Sequence, residues 1–405
     1  MRRTVMFVCA FFVLLALSAF SGDKTDAAPL AAELANLNLS STSGNDFTSD
    51  DLNVTYTLSG TATTAATAWY KDGSPLMALL MPFEGGATNA LGDYSGNGQT
   101  ATSSGGPVWN ATGGYDGFGV YEMDGIDDYF SIPDANVLDV DYVTLAAWIN
   151  VDSFRNDMRI VSKEYGTTDP YSIYTLMLNG DNEDKLEMRI GLEGQNRIRV
   201  IGNTAITKDT WVHVAATFNG SQVVLYINGQ ADTVVAASGT FRKNDQPVLV
   251  GASEFYGRYF DGAIDDVRIY PYAVSGPQIA ALYNSGPDVI KSSETSSGDD
   301  WQARVTPFSA SEVGSTYQSN TVTIVSAGEP ELVKIMPCGD SITFDNYSGD
   351  PRPLDERTSY RWPLWLMLES GCYNVDFVGD TLAGQAMYPS FDPDNSGHPG
   401  WTDSQ

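Results

Sequence analysis

The chain has 405 residues, 42% of them hydrophobic and 11% aromatic, which is more length than one hydrophobic core usually serves and enough apolar matter for several. Its 51 acidic residues against 22 basic ones leave a formal charge of -29, and the resulting repulsion from phosphate backbones and anionic lipid heads excludes nucleic acid as a partner. The same acidity serves solubility in salt or supplies carboxylates for calcium, and composition does not choose between the two.

Residues 1–22 carry Arg2 and Arg3, an apolar run over 5–20, and small residues at Ser18, Ala19, Ser21 and Gly22, which is the layout of a secretory signal peptide. That run falls short of the roughly 20 residues a spanning helix needs, so export, cleavage and no later membrane span are expected. Two cysteines lie beyond it, Cys338 and Cys372. They are expected not to pair, because the first should end one strand and the second begin a parallel neighbour, an offset beyond bridging range.

Residues 27–49 are rich in Ala, Ser, Asn and Leu with no sustained period and read as a linker. Alternation over 52–58 and 66–70 predicts strands, the second running into the turn Lys71-Asp72-Gly73-Ser74-Pro75. From 76 to 286 short strands recur between Gly, Asn and Asp turns, most clearly at 143–151, 211–219 and 222–228. Asn219-Gly220 and Asn228-Gly229 stand where tight hairpins need positive φ, and a helical turn is predicted over 275–283. After 286 the earlier style resumes, with strands expected around Trp301 to Pro307 and over 320–325.

The middle segment carries Asp93-Tyr94-Ser95-Gly96-Asn97-Gly98, Met123-Asp124-Gly125-Ile126-Asp127-Asp128-Tyr129 and Thr144-Leu145-Ala146-Ala147-Trp148-Ile149. Trp211-Val212-His213-Val214-Ala215, Leu225-Tyr226-Ile227-Asn228-Gly229 and Phe260-Asp261-Gly262-Ala263-Ile264-Asp265-Asp266-Val267-Arg268-Ile269-Tyr270 follow. In that order these resemble the laminin-G-like (concanavalin A-like) jelly-roll family. The resemblance implies an antiparallel β-sandwich over 76–286 that often binds glycans, often holds a structural calcium ion, and in some members serves only as a spacer. By the period-two rule Asp265 falls with Val267 and Ile269 and should point toward the core, where either calcium shared with Asp93 and backbone carbonyls or hydrogen bonds from nearby amides would satisfy it. Tyr256 and Tyr259, in an aromatic cluster before the last strand, are the candidate sugar platform. His213, between two valines and with no second histidine or cysteine nearby, reads as a packed, hydrogen-bonded side chain.

The flanks resemble immunoglobulin-like modules, in which a tryptophan strand ending in a Lys-Asp-Gly turn precedes a Gly-Asp-x-Trp-x-x-x-Val-Thr-Pro strand. Residues 36–75 and 287–327 are therefore expected to form one split module with the sandwich inserted at a loop tip, where insertion is cheap.

Beyond 332, a strand, a helix over 362–370 and a second strand over 373–379 predict a parallel crossover unit. Ile335-Met336-Pro337-Cys338-Gly339-Asp340-Ser341-Ile342-Thr343 and Gly397-His398-Pro399-Gly400-Trp401-Thr402 resemble the first two blocks of SGNH (GDSL-type) hydrolases, closest to carbohydrate esterases. The resemblance implies Ser341 as nucleophile, with its own N–H and that of Gly400 stabilising the oxyanion. Its late Asp-x-x-His block, which supplies the base, is absent from these residues, so 332–405 reads as the N-terminal fragment of such a domain and as inactive by itself. The fold expected overall is mainly β: a jelly-roll sandwich, a small immunoglobulin-like sandwich and an incomplete α/β segment. The function expected is a secreted polysaccharide- or surface-binding protein attached to ester-hydrolase machinery, or else a non-catalytic adhesion protein.

Overall fold

The computed structural model describes residues 31–180 and 184–326, and beyond them only 333–335, 338–339, 353, 356, 360–370, 375–377, 381–382 and 394–397. Ser341, Gly400, Cys372 and the signal-like residues 1–22 lie outside the described residues.

Antiparallel β-structure dominates. One sheet of eight strands runs, from its edge, through Gln230–Ala236, Gln222–Ile227, Val212–Phe218, Val143–Val151, Asp261–Tyr270, Val120–Asp124 and Val108–Asn110, with Leu79–Met81 also paired to Asp261–Tyr270. A second sheet of seven faces it, ordered Ile198–Ala205, Lys185–Ile190, Ser172–Leu178, Arg159–Glu164, Val248–Val250, Tyr129–Ile132 and Thr102–Ser104. Alternating side chains from both close one core: Leu145, Ile149, Val214, Phe218 and Ile264 meet Phe130, Leu176, Met188 and Val250, all of them fully buried. The hairpin at Asn228-Gly229 uses φ values of +47° and +74°, the turn that right-twisted strands favour.

The flanking segments build two more layers. Strand Thr64–Lys71 pairs along its whole length with Asp300–Phe308, from Thr64 opposite Phe308 to Lys71 opposite Trp301. Strands Ala32–Ser41, Leu52–Gly60 and Val289–Ile290 form a three-stranded sheet against that pair. Strand Thr64–Lys71 is buried on both faces, which is why five consecutive positions, Ala66 to Tyr70, are inaccessible. Trp69 faces outward onto Trp301, Leu34, Val54 and Ile290, while Ala66, Ala68 and Tyr70 face the outer surface of the eight-stranded sheet. There they meet Ala146, Ala215, Tyr226 and Tyr270, joined by Ile279 and Leu282 of helix Gly276–Asn284, whose N-cap Ser275 accepts from the Gln278 amide.

Residues 27–49 are not simply a linker, since Ala32–Ser41 is a strand. Its period is broken by a bulge: Asn36 takes a φ of +56° and the register slips between Ala35 and Asn38, so Leu34 and Leu39 both point inward at odd spacing. In the C-terminal part, Val333–Ile335 pairs in parallel with Val375–Phe377, and helix Arg361–Ser370 lies between them in the chain, the strand–helix–strand order expected there. Cys338 sits in a short strand paired with Ser396.

Candidate ligand and metal sites

The strand Asp261–Tyr270 does not keep its period. Trp148 pairs with Asp265 while Ala146 pairs with Arg268, two positions on one strand against three on the other, and Asp266 takes up the extra residue at a φ of +46°. Ile264 and Val267 therefore both point into the core, and Asp265 and Arg268 both point out of it. The expectation that Asp265 shares the core side with Val267 and Ile269 is corrected by this bulge, which no alternation rule anticipates.

Asp265 is buried all the same, beneath the loop at 113–119. Its Oδ2 accepts from the Tyr115 amide at 3.1 Å and its Oδ1 from Asp266 N at 2.8 Å. Glu84 accepts from Gly119 N with both oxygens, at 3.0 and 3.1 Å. Glycine is required at 114 and 119, because a Cβ would meet Asp265 Oδ2 at 2.7 Å and the Phe83 carbonyl oxygen at 2.6 Å respectively. Glu84, Asp116 and Asp266, with Tyr115 and Arg268, line a chamber of about 30 Å³ whose far wall is Thr64, Ala65, Ala66 and Pro287 of the flanking strands; Asp265 is not in that lining. Arg268 is committed to Asp266, at 2.8 and 2.9 Å.

Burial, reinforced by the Asp116 charge, pushes Glu84 up to about 8, and burial with Asp116, Asp266 and Glu84 raises Asp265 well above the usual carboxylate range. Hard oxygen donors surround room for one water, and the buried Arg268 guanidinium shares that lining and partly offsets their charge.

Asp93 is not part of that chamber. Its oxygens accept from Leu80 N at 3.0 Å, Ser95 N at 2.8 Å, Ser95 Oγ at 2.8 Å and Gln99 N at 3.2 Å, so it folds its own loop. The proposed Asp93 and Asp265 ligand pair is not assembled, because hydrogen bonding inside the 93–99 turn already uses the carboxylate. A second acidic group, Asp124, Asp127 and Asp128, brings carboxylate oxygens within 4.8 Å of one another, with two of the three residues exposed to water.

Tyr256 lies on the hairpin that follows strand Val248–Val250 and is 43% exposed, beside Phe255 at 38%. Its ring is 6.4 Å from that of Tyr171, over which the Arg197 guanidinium sits at 5.1 Å. Tyr259 turns the other way, toward Tyr129 at 6.3 Å. The two predicted tyrosines thus share a hairpin but not one platform, and the partners of Tyr256 are Tyr171 and Arg197. Neither had a sequence signal, since both come from distant loops.

The outer face of the seven-stranded sheet carries a charge network that alternation along Lys185, Glu187 and Arg189 hints at. Glu187 accepts from Arg189 Nε at 2.6 Å and Arg199 Nε at 2.7 Å. Burial alone would raise its pKa, but hydrogen bonds from Arg199 and Arg189 outweigh it and hold the carboxylate below its ordinary value. His213 is buried against Trp148, at 5.3 Å between ring centroids, and its Nδ1 finds no hydrogen-bond partner among the described residues. It is packed, as expected, but not hydrogen-bonded through that nitrogen. Burial and the Arg268 charge lower it to about 3.

Residues 124–280 match the Concanavalin A-like lectin/glucanases superfamily. Over those residues the central β-sandwich is similar to that superfamily. Adhesion G-protein coupled receptor V1 of Danio rerio is 27% identical over 150 residues, which is 35% of this chain and 2% of the receptor's length. Among solved structures, domain 4 of AbnA, a GH43 extracellular arabinanase from Geobacillus stearothermophilus in complex with arabinotriose, is 18% identical with a TM-score of 0.41, over 51% of this chain and 98% of that one. The botulinum neurotoxin serotype G binding domain is 13% identical with a TM-score of 0.41, over 51% and 50%. The chain spans half or less of the receptor and of the neurotoxin domain. In the jelly roll, the acidic chamber lies on the face covered by the flanking strands, and the Tyr256 hairpin follows a strand of the opposite sheet.

Proposed function

We propose that this chain is a secreted glycan-binding protein whose jelly roll contacts carbohydrate through the Tyr256 hairpin and holds a structural calcium ion in the chamber lined by Glu84, Asp116 and Asp266. The observation that carries the binding reading is the exposed Tyr256 ring beside the Tyr171 and Arg197 pair. Aromatic faces stack on sugar C–H groups, and an arginine held over a ring offers fixed donors to hydroxyls. Retention of the full chain on insoluble polysaccharides tests it. Tyr256→Ala is expected to lose retention at least tenfold, and unchanged retention would sink the reading.

The flanks, 36–75 with 287–327, are proposed as one immunoglobulin-like module, and 332–405 as part of an SGNH-type ester hydrolase domain with Ser341 as nucleophile and Gly400 as oxyanion donor. Fluorophosphonate labelling checks the serine: with no Asp-x-x-His block among these residues to supply a base, the chain is expected to stay unlabelled, and labelling that Ser341→Ala abolishes would show that these residues suffice. Among the described residues no helix is long and apolar enough to cross a membrane.

A further inference from the structure

Tyr142 is held in place by a glycine. A side chain at Gly220 would meet Tyr142 Cε1 at 2.4 Å, and Gly220 has a φ of +84°, so the ring packs directly on the hairpin backbone while the residue stays 41% exposed. An aromatic ring fixed in this way has little rotamer freedom left to lose on binding.

That ring borders an open depression of about 390 Å³, lined also by Asn97, Asn136, Val137, Asp139 and Asp141. The volume lies within the range of small-molecule sites, roughly 300 to 1,000 Å³. Its polar groups are braced from behind. Asn97 Nδ2 donates to the Met77 carbonyl at 2.8 Å and the Ala78 carbonyl at 3.1 Å. Lys163, with no side-chain exposure, lies 3.3 Å from Asp139, and Lys243 lies 2.9 Å from Asp141. Val137, 36% exposed, adds an apolar wall.

We infer that this depression is a second carbohydrate subsite, taking a neutral oligosaccharide with Tyr142 as stacking platform and Asp141, Asn136 and Asn97 as hydroxyl partners. It shares no residue with the Tyr256 hairpin. Carboxylates accept hydrogen bonds from paired sugar hydroxyls, and the lysines beside them are already ion-paired, which leaves no free cation in the lining to bind a uronate or a sulfate. The inference rests on the glycan-binding reading above but on a different wall of the molecule.

The test uses the full chain with cellotriose, xylotriose and maltotriose as probes and trigalacturonate as the charged control, followed by ligand-observed NMR at millimolar sugar. Tyr142→Ala and Gly220→Ala are each expected to weaken binding of a neutral trisaccharide at least tenfold, the second because it displaces a ring that is still present. Tyr142→Phe should keep it. Should Gly220→Ala fail to fold, the exposed Tyr142→Ala decides alone. Unchanged binding in Tyr142→Ala, or equal binding of trigalacturonate, overturns the subsite. Loss in Tyr256→Ala only overturns it and leaves the hairpin site standing; loss in Tyr142→Ala only does the reverse. No neutral trisaccharide bound by the native chain overturns both.

Discussion

The guanidinium of Arg304 lies 3.9 Å from the ring centroid of Tyr70 and donates to the Tyr70 hydroxyl at 2.9 Å. That hydroxyl occupies the space a side chain at Gly96 would need, since a Cβ there would fall 1.8 Å from it. Through this contact the flanking strands grip the loop that Asp93 folds. Gly96 also has a φ of +102°, so Gly96→Ala combines backbone strain with a collision and is expected to cost about 1–3 kcal/mol. Tyr70→Ala, which empties a buried site, should cost about 3–5 kcal/mol. Urea denaturation checks both; a change under 0.5 kcal/mol in each would mean that the contact contributes nothing.

Residues 76–286 alone should behave poorly. Without the flanks, Ala146, Ala215, Tyr226 and Tyr270 on the outer sheet face lose the cover of Ala66, Ala68 and Tyr70 and keep only that of helix Gly276–Asn284, which leaves apolar surface of the kind that marks aggregation. The excised segment is expected to bind a hydrophobic dye and to self-associate in size-exclusion chromatography, while the full chain does neither. A monodisperse excised segment would show that the layer is dispensable.

Stability should fall with acid. His213 has its folded pKa lowered to about 3 from 6.5. Below 6.5 the unfolded chain takes up a proton that the native one refuses, so this contribution is complete above 6.5 and is lost as pH falls toward 3. At about 1.4 kcal/mol per pKa unit the loss is a few kcal/mol. His213→Gln should flatten that limb in thermal melts. Glu84, raised to about 8 from 4.5, acts in the other direction: its contribution is present below 4.5 and is lost as pH rises through 8 in metal-free protein.

Calcium is expected to raise the melting temperature of chelator-treated protein, with about 2.7 kcal/mol of stabilisation at a hundredfold excess over Kd. Glu84→Gln and Asp116→Asn should abolish that response. Asp93→Asn should lower the melting temperature with and without calcium and leave the difference intact. A response lost in Asp93→Asn but kept in Asp116→Asn would return the site to the 93–99 loop.

Much of the sandwich was legible because its strands obey period two over residues such as Leu145, Ala147 and Ile149, and because Asn228-Gly229 marks its own turn. What escaped are the places where the period breaks. The bulges at Asn36 and Asp266 each shift a strand by one residue, hiding the first strand and reversing the side to which Asp265 points. The chamber itself joins Glu84, Asp116 and Asp266 across 182 positions, and Tyr256 meets Tyr171 across 85, long-range encounters that local spacing does not encode.

Because the strand that precedes the jelly roll is zipped edge to edge with the strand that follows it, tension applied between residues 32 and 325 would load the Thr64–Lys71 and Asp300–Phe308 pair and bypass everything between. The inserted domain would then hang from the line of force rather than forming part of it, keeping its binding surfaces undistorted under drag. Single-molecule pulling should register the small module's rupture first, with the long extension of the jelly roll released only afterwards.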